Sequence, residues 1–203
     1  MNYHLRTISA PRNGGTLRLK KWNAILALLT MLALFVHMGY NVFAYLTFYY
    51  NPTLKLLTAM PILVFLCLHA ITGMCSVFLL GDGTRVAPYQ QQNRQTVAQR
   101  VSAALIFPLL IVHLRTFDLL KNAAEGGSWA VFALILCAQI AFYVVVATHV
   151  ATSFSRALIT LGLLSNRETQ AKIDRAVAIL CAVLVVAATV VVTKGQLSMF
   201  LHA

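Results

Sequence analysis

"LKLLTAMPILVFLCLHAITGMCSVFLL", residues 54–80, is apolar almost throughout, and its one charged residue, Lys55, stands at the edge. A run longer than about 18 apolar residues reads as a membrane-spanning helix. Yet His69 sits deep inside this run with no charged neighbour to pair with. Four further stretches have the same apolar character: roughly Trp22–Phe48, Val97–Leu119, Ser128–Phe154 and Ala176–Thr193. They are continuously apolar rather than alternating, which favours helices over a spanning barrel.

Composition agrees with five spans. Of the 203 residues 60% are hydrophobic and 10% charged, whereas a soluble domain carries about 25% charged residues. The expected fold is an all-α membrane protein with a basic tail at residues 1–20 and one transmembrane domain at 21–203. The first apolar segment, about 27 residues long, exceeds a signal-peptide core, so it reads as a span.

The net charge of +11 is explained by its placement. With the N-terminus on the cytoplasmic side, twelve Lys and Arg fall in cytoplasmic segments and four (Lys55, Arg115, Lys121, Lys194) in outer ones. That bias fits an N-in, C-out arrangement. The sequence has no interleaved basic and aromatic groove, so no nucleic-acid partner is expected; the partner of the surface is the lipid bilayer. The connections are read as a tight outer turn at 49–55, a polar cytoplasmic loop at 81–95, an outer return at 118–128, and a cytoplasmic connection at 163–175 that turns helical near Asn166. The four cysteines lie within spans without a paired spacing and read as small apolar residues.

Each of the first four spans carries one histidine: His37, His69, His113 and His149. A single buried imidazole is easily satisfied by a backbone carbonyl. One on each of four spans points to function, because a polar ring in a span is costly. At the helical rise, His37 lies about 22 Å beyond Trp22 and His113 about 21 Å beyond Gln99, so both approach the outer side. His69 lies about 22 Å beyond Leu54 in a span running the other way, and His149 reaches a comparable or deeper level if its helix is long or tilted. Two pairs at two heights suit two bis-imidazole haems in a helical bundle. Tetrahedral zinc suits them less, since no carboxylate or cysteine completes either pair. Gly73, one turn after His69, leaves room for a planar ligand or serves helix packing.

The sequence also resembles a known family. "HMGYN" (37–41), "LHAITG" (68–73), "QRVSAALIFPLLIVHL" (99–114) and "THVATSFSRALITLGL" (148–163) are together similar, in order, to the first four helices of the five-helix, dihaem cytochrome b membrane anchor of succinate dehydrogenases and fumarate reductases. It departs from that pattern at Ala103, where the family has glycine, and at Asn23. The resemblance implies axial pairing of His37 with His113 and of His69 with His149. It implies a flavoprotein and an iron–sulfur partner subunit, a membrane quinone (menaquinone), and a place in the bacterial or archaeal cytoplasmic membrane. Electrons would pass between the soluble head and the quinone through two haems b, as in a respiratory chain. The chain has no flavin fingerprint and no cysteine cluster of its own, so it is not expected to act on succinate alone.

Propionate partners follow from position. Gln99 and Arg100 are candidates for the inner haem and Arg115 for the outer, although each arginine also suits a snorkelling helix end. Three other readings compete: a dihaem anchor of another quinone-linked oxidoreductase, such as a nitrate reductase or formate dehydrogenase type; a histidine-relay transporter or channel without haem; and a scaffold subunit.

Overall fold

The computed structural model describes residues 14–80 and 90–201. These form five helices: α1 (Gly14–Thr47), α2 (Pro52–Leu80), α3 (Gln90–Glu125), α4 (Trp129–Leu161) and α5 (Arg167–Leu201). There is no strand among the described residues. All five are long and apolar enough to cross a membrane. Their outer surfaces carry large apolar side chains: Phe78 is 78% exposed, Leu134 69% and Ile111 67%. Such a surface belongs against lipid, where polar backbone is satisfied only inside a helix. The chain is a multi-pass membrane protein.

The helices overrun the apolar segments. α1 begins at Gly14, inside the segment expected to be a loose tail, and α3 begins at Gln90, inside the expected loop. The outer return at 118–128 is mostly helix, with α3 ending at Glu125. Gln, Lys, Arg and Glu are good helix formers, so a polar segment continues the helix that the apolar one begins. Residues 1–13 and 81–89, with Arg6, Arg12 and Arg85, lie outside the described residues.

Local chemistry closes the connections. Asn51 caps α2, its Oδ1 accepting from the amides of Thr53 at 3.0 Å and Leu54 at 3.1 Å. The Tyr40 hydroxyl clamps the same turn, donating to the Asn51 carbonyl at 2.8 Å and accepting from its amide at 2.9 Å. Asn166 caps α5 through the Glu168 amide at 2.8 Å. Gly162 ends α4 at φ 78°, with the Leu163 amide reaching back to the Leu158 carbonyl at 2.9 Å. Only glycine takes that left-handed cap without strain.

α1 pairs with α2, and α3 with α4; α4 against α1 joins the two hairpins, and α5 packs on α4 and α1. Among the described residues α2 approaches neither α3 nor α4 within 8 Å Cα to Cα, and α1 does not approach α3. The histidine-bearing helices α2 and α4, and likewise α1 and α3, therefore stand apart across internal space. The tightest apolar packing is a cluster of Leu120, Ala123, Phe132 and Ile135, covered from α5 by Leu197 and Phe200.

Candidate functional site

The four histidines fall into two layers. In the first, His69 on α2 and His149 on α4 face each other with ring centroids 6.3 Å apart and planes at 67°. Each ring is held by a backbone oxygen from a neighbouring helix. His69 Nδ1 donates to the Asn23 carbonyl of α1 at 3.1 Å, and His149 Nδ1 to the Gln99 carbonyl of α3 at 3.1 Å. Ser102 Oγ lies 3.3 Å from the same His149 nitrogen and itself donates to the Gln99 carbonyl at 3.0 Å. A helix carbonyl keeps a second lone pair after its own helical bond, so it can accept a side-chain donor. These bonds fix the tautomer with Nε2 free of a proton, which is how a metal-bound imidazole is oriented.

The spacing can be tested against that chemistry. A metal–imidazole bond is about 2.0–2.1 Å, and a ring centre lies about 1.1 Å behind its nitrogen. Two imidazoles on opposite sides of one metal therefore have centroids about 6.3 Å apart. The observed distance matches. No group of three or more His, Cys, Asp or Glu converges among the described residues. The donor set is a pair of imidazoles, which suits a metal whose remaining ligands come from a macrocycle.

The second layer lies about 16 Å away along α2, at Thr58. Thr58 Oγ accepts from His37 Nδ1 at 3.2 Å. Asn41, one turn on from His37, donates to its Nε2 at 3.1 Å and to its backbone carbonyl at 2.7 Å. His113 stacks on Phe142 of α4 at 4.8 Å, with Tyr143 edge-on at 6.3 Å. Its Nδ1 is buried without a hydrogen-bond partner. His37 and His113 line one cavity of about 590 Å³ that touches all five helices. His69 and His149 are not part of its lining.

The other expected site residues are distributed unevenly. Gln99 belongs to the first layer twice over. Its carbonyl holds His149, and its Oε1 accepts from Arg156 Nη1 at 2.8 Å. Arg156 also donates to Thr96 Oγ at 3.1 Å. It is thus the arginine on the α3–α4 seam beside His149, and the sequence reading passed over it. Arg100 and Arg115 are exposed. Arg115 does not line the cavity; Lys55 does, with its ammonium 5.6 Å over the Tyr50 ring. Gly73 faces α1: a Cβ there would meet Asn23 Oδ1 at 3.5 Å. The same oxygen accepts from the Thr72 hydroxyl at 2.9 Å.

A second group also escaped the sequence reading. Gln139 on α4 is 5% exposed and Gln196 on α5 is 2% exposed, both lining the cavity. Gln139 Nε2 donates to the Tyr143 hydroxyl at 2.6 Å, and Gln196 Nε2 to the Tyr45 hydroxyl at 3.2 Å. For Gln139 the available signal was an uncharged amide in the middle of an apolar run.

Compared with protein-family models, with curated proteins and with solved structures, the chain matches none.

Proposed function

We propose that this chain is the membrane anchor and electron-transfer subunit of a quinone-linked oxidoreductase, built to hold two b haems. Its proposed orientation is N-in, C-out in a bacterial or archaeal cytoplasmic membrane. The observation that carries the reading is the 6.3 Å spacing of His69 and His149, each with Nδ1 committed to a carbonyl. His69 and His149 would ligate the inner haem through Nε2. His37 and His113 would ligate the outer one. Asn41 then loses its bond to His37 Nε2 and keeps the one to the His37 carbonyl, so its amide stays satisfied.

When bound, the haems supply one-electron chemistry. The chain's own work is to orient the imidazoles, keep the site dry and set the local polarity. Arg156, half-buried beside Gln99, is the cation best placed for an inner propionate, and Lys55 for an outer one. The motif resemblance supports succinate dehydrogenase or fumarate reductase as the complex, with flavoprotein and iron–sulfur subunits on the cytoplasmic side and menaquinone as carrier. Purification of the intact complex from its native membrane, followed by identification of its subunits, tests this. A flavoprotein and an iron–sulfur subunit are expected. A molybdenum subunit would instead assign the chain to a nitrate reductase or formate dehydrogenase type.

A further inference from the structure

Away from the histidines, α4 and α5 leave a groove of about 480 Å³ between them, within the range of small-ligand sites, about 300–1,000 Å³. Ile140 of α4 lines one side, and Val190, Thr193, Lys194, Leu197 and Ser198 of α5 line the other. The α5 residues are spaced i, i+3, i+4, i+7 and i+8, so they form one continuous stripe. None of the six lines the cavity of His37 and His113. The groove carries polar groups that the protein leaves unmet. In the first four helices Thr30, Thr72, Thr116, Thr148, Thr152 and Thr160 each donate to a carbonyl one turn earlier. Among the described residues the hydroxyls of Thr193 and Ser198 bond to no protein group, and Lys194 has no ion pair. Glu125, an acid at the same end of the bundle, is taken by Lys121 at 3.7 Å. Polar groups at an apolar surface are costly when left without partners.

Depth says what meets them. No charged residue lies between Arg175 and Lys194. The helical rise separates the two by about 29 Å, close to the thickness of the hydrocarbon core, about 30 Å. Lys194 therefore stands at headgroup level. Val190 lies one turn inward, among acyl chains, and Ser198 one turn outward. We propose that this groove binds an anionic phospholipid. Its phosphate takes the Lys194 ammonium and the Thr193 and Ser198 hydroxyls, which supply only donors to an anion that supplies only acceptors. One acyl chain lies along Val190 and against Ile140. A zwitterionic lipid carries its own cation beside the phosphate and gains less from a lysine that has no acid of its own. The site is independent of the electron-transfer reading, and either can fail without the other.

The test titrates the full chain in detergent micelles with dioleoyl phosphatidylglycerol or dioleoyl phosphatidylcholine and counts bound lipids by native mass spectrometry. Lys194→Gln is expected to weaken one phosphatidylglycerol about fivefold, the effect of one lysine at an anionic surface, and to leave phosphatidylcholine unchanged. Thr193→Val should weaken the same lipid about threefold. Val190→Trp fills the groove at an exposed position and should displace that lipid although every charge is kept. Lys121→Gln removes one positive charge from the same end of the bundle and should change nothing. Phosphatidylglycerol binding that is unaltered in Lys194→Gln would overturn the proposal. So would a loss in Lys121→Gln as large as in Lys194→Gln, which would make the effect one of diffuse charge. Retention of the lipid by Val190→Trp would place it outside the groove and overturn the proposal as well.

Discussion

His69 and His149 stand 6.3 Å apart, centroid to centroid, although no Cα of α2 comes within 8 Å of one in α4. The pair is held from the side: α1 supplies the Asn23 carbonyl to one ring and α3 the Gln99 carbonyl to the other. The four helices thus cooperate in a division of labour. Two present the rings, and the two between them fix how the rings turn.

Because backbone oxygens do the fixing, side-chain substitutions at those positions should be mild. Replacing a side chain that orients a metal-bound histidine commonly costs 10–100-fold in affinity, as an order of magnitude. Asn23→Ala is expected to remove the Thr72 bond, lower stability by about 1 kcal/mol, and leave inner-haem affinity within about threefold. Haem titration of the variant, followed in the visible spectrum, checks this.

Arg156 and Arg115 should separate sharply. Arg156 joins α4 to α3 through Gln99 and Thr96, so Arg156→Leu is expected to cost about 1–3 kcal/mol. Arg115 is exposed, and Arg115→Gln should stay within about 0.5 kcal/mol. Denaturation of the haem-free variants in mild detergent gives both numbers without a contribution from ligand.

Gly195 on α5 packs directly against the Tyr45 ring of α1, and a Cβ there would overlap it. Gly195→Ala should therefore cost about 1–3 kcal/mol by forcing Tyr45 aside, and Tyr45→Ala should recover part of that loss. Gly39 has nothing within 4 Å of a built Cβ. Gly39→Ala should be neutral, or stabilising by up to about 1 kcal/mol from helix propensity. A double-mutant cycle on Gly195 and Tyr45 measures the coupling.

The core cluster predicts a similar contrast. Leu120 is fully buried and Leu134 is 69% exposed. Leu120→Ala should cost about 2–5 kcal/mol, and Leu134→Ala about 0.5 kcal/mol or less. Thermal unfolding in one detergent compares them directly.

Much of this was legible in the residues. The five spans follow from apolar runs, and the separation of the four histidines into two levels follows from depth, since rise per residue is constant in any helix. Azimuth is what depth does not supply. Arg100 adjoins Gln99 in sequence, but successive residues point about 100° apart on a helix. The partner of Gln99 came from α4, and no count of charges reveals that. Gln196 was missed for another reason. The apolar run of the fifth span stops at Lys194, whereas α5 continues to Leu201. Helix ends are set by capping and packing, not by where hydropathy falls.

The most direct measurement of the central claim is the haem-to-chain ratio, read with reduced-minus-oxidised spectra for the purified chain and its four His→Ala variants. Two b haems per chain are expected. His69→Ala and His149→Ala should abolish one and the same spectral component, His37→Ala and His113→Ala the other. A ratio near zero in folded protein, or His37→Ala and His69→Ala removing the same component while the other survives in both, would contradict it.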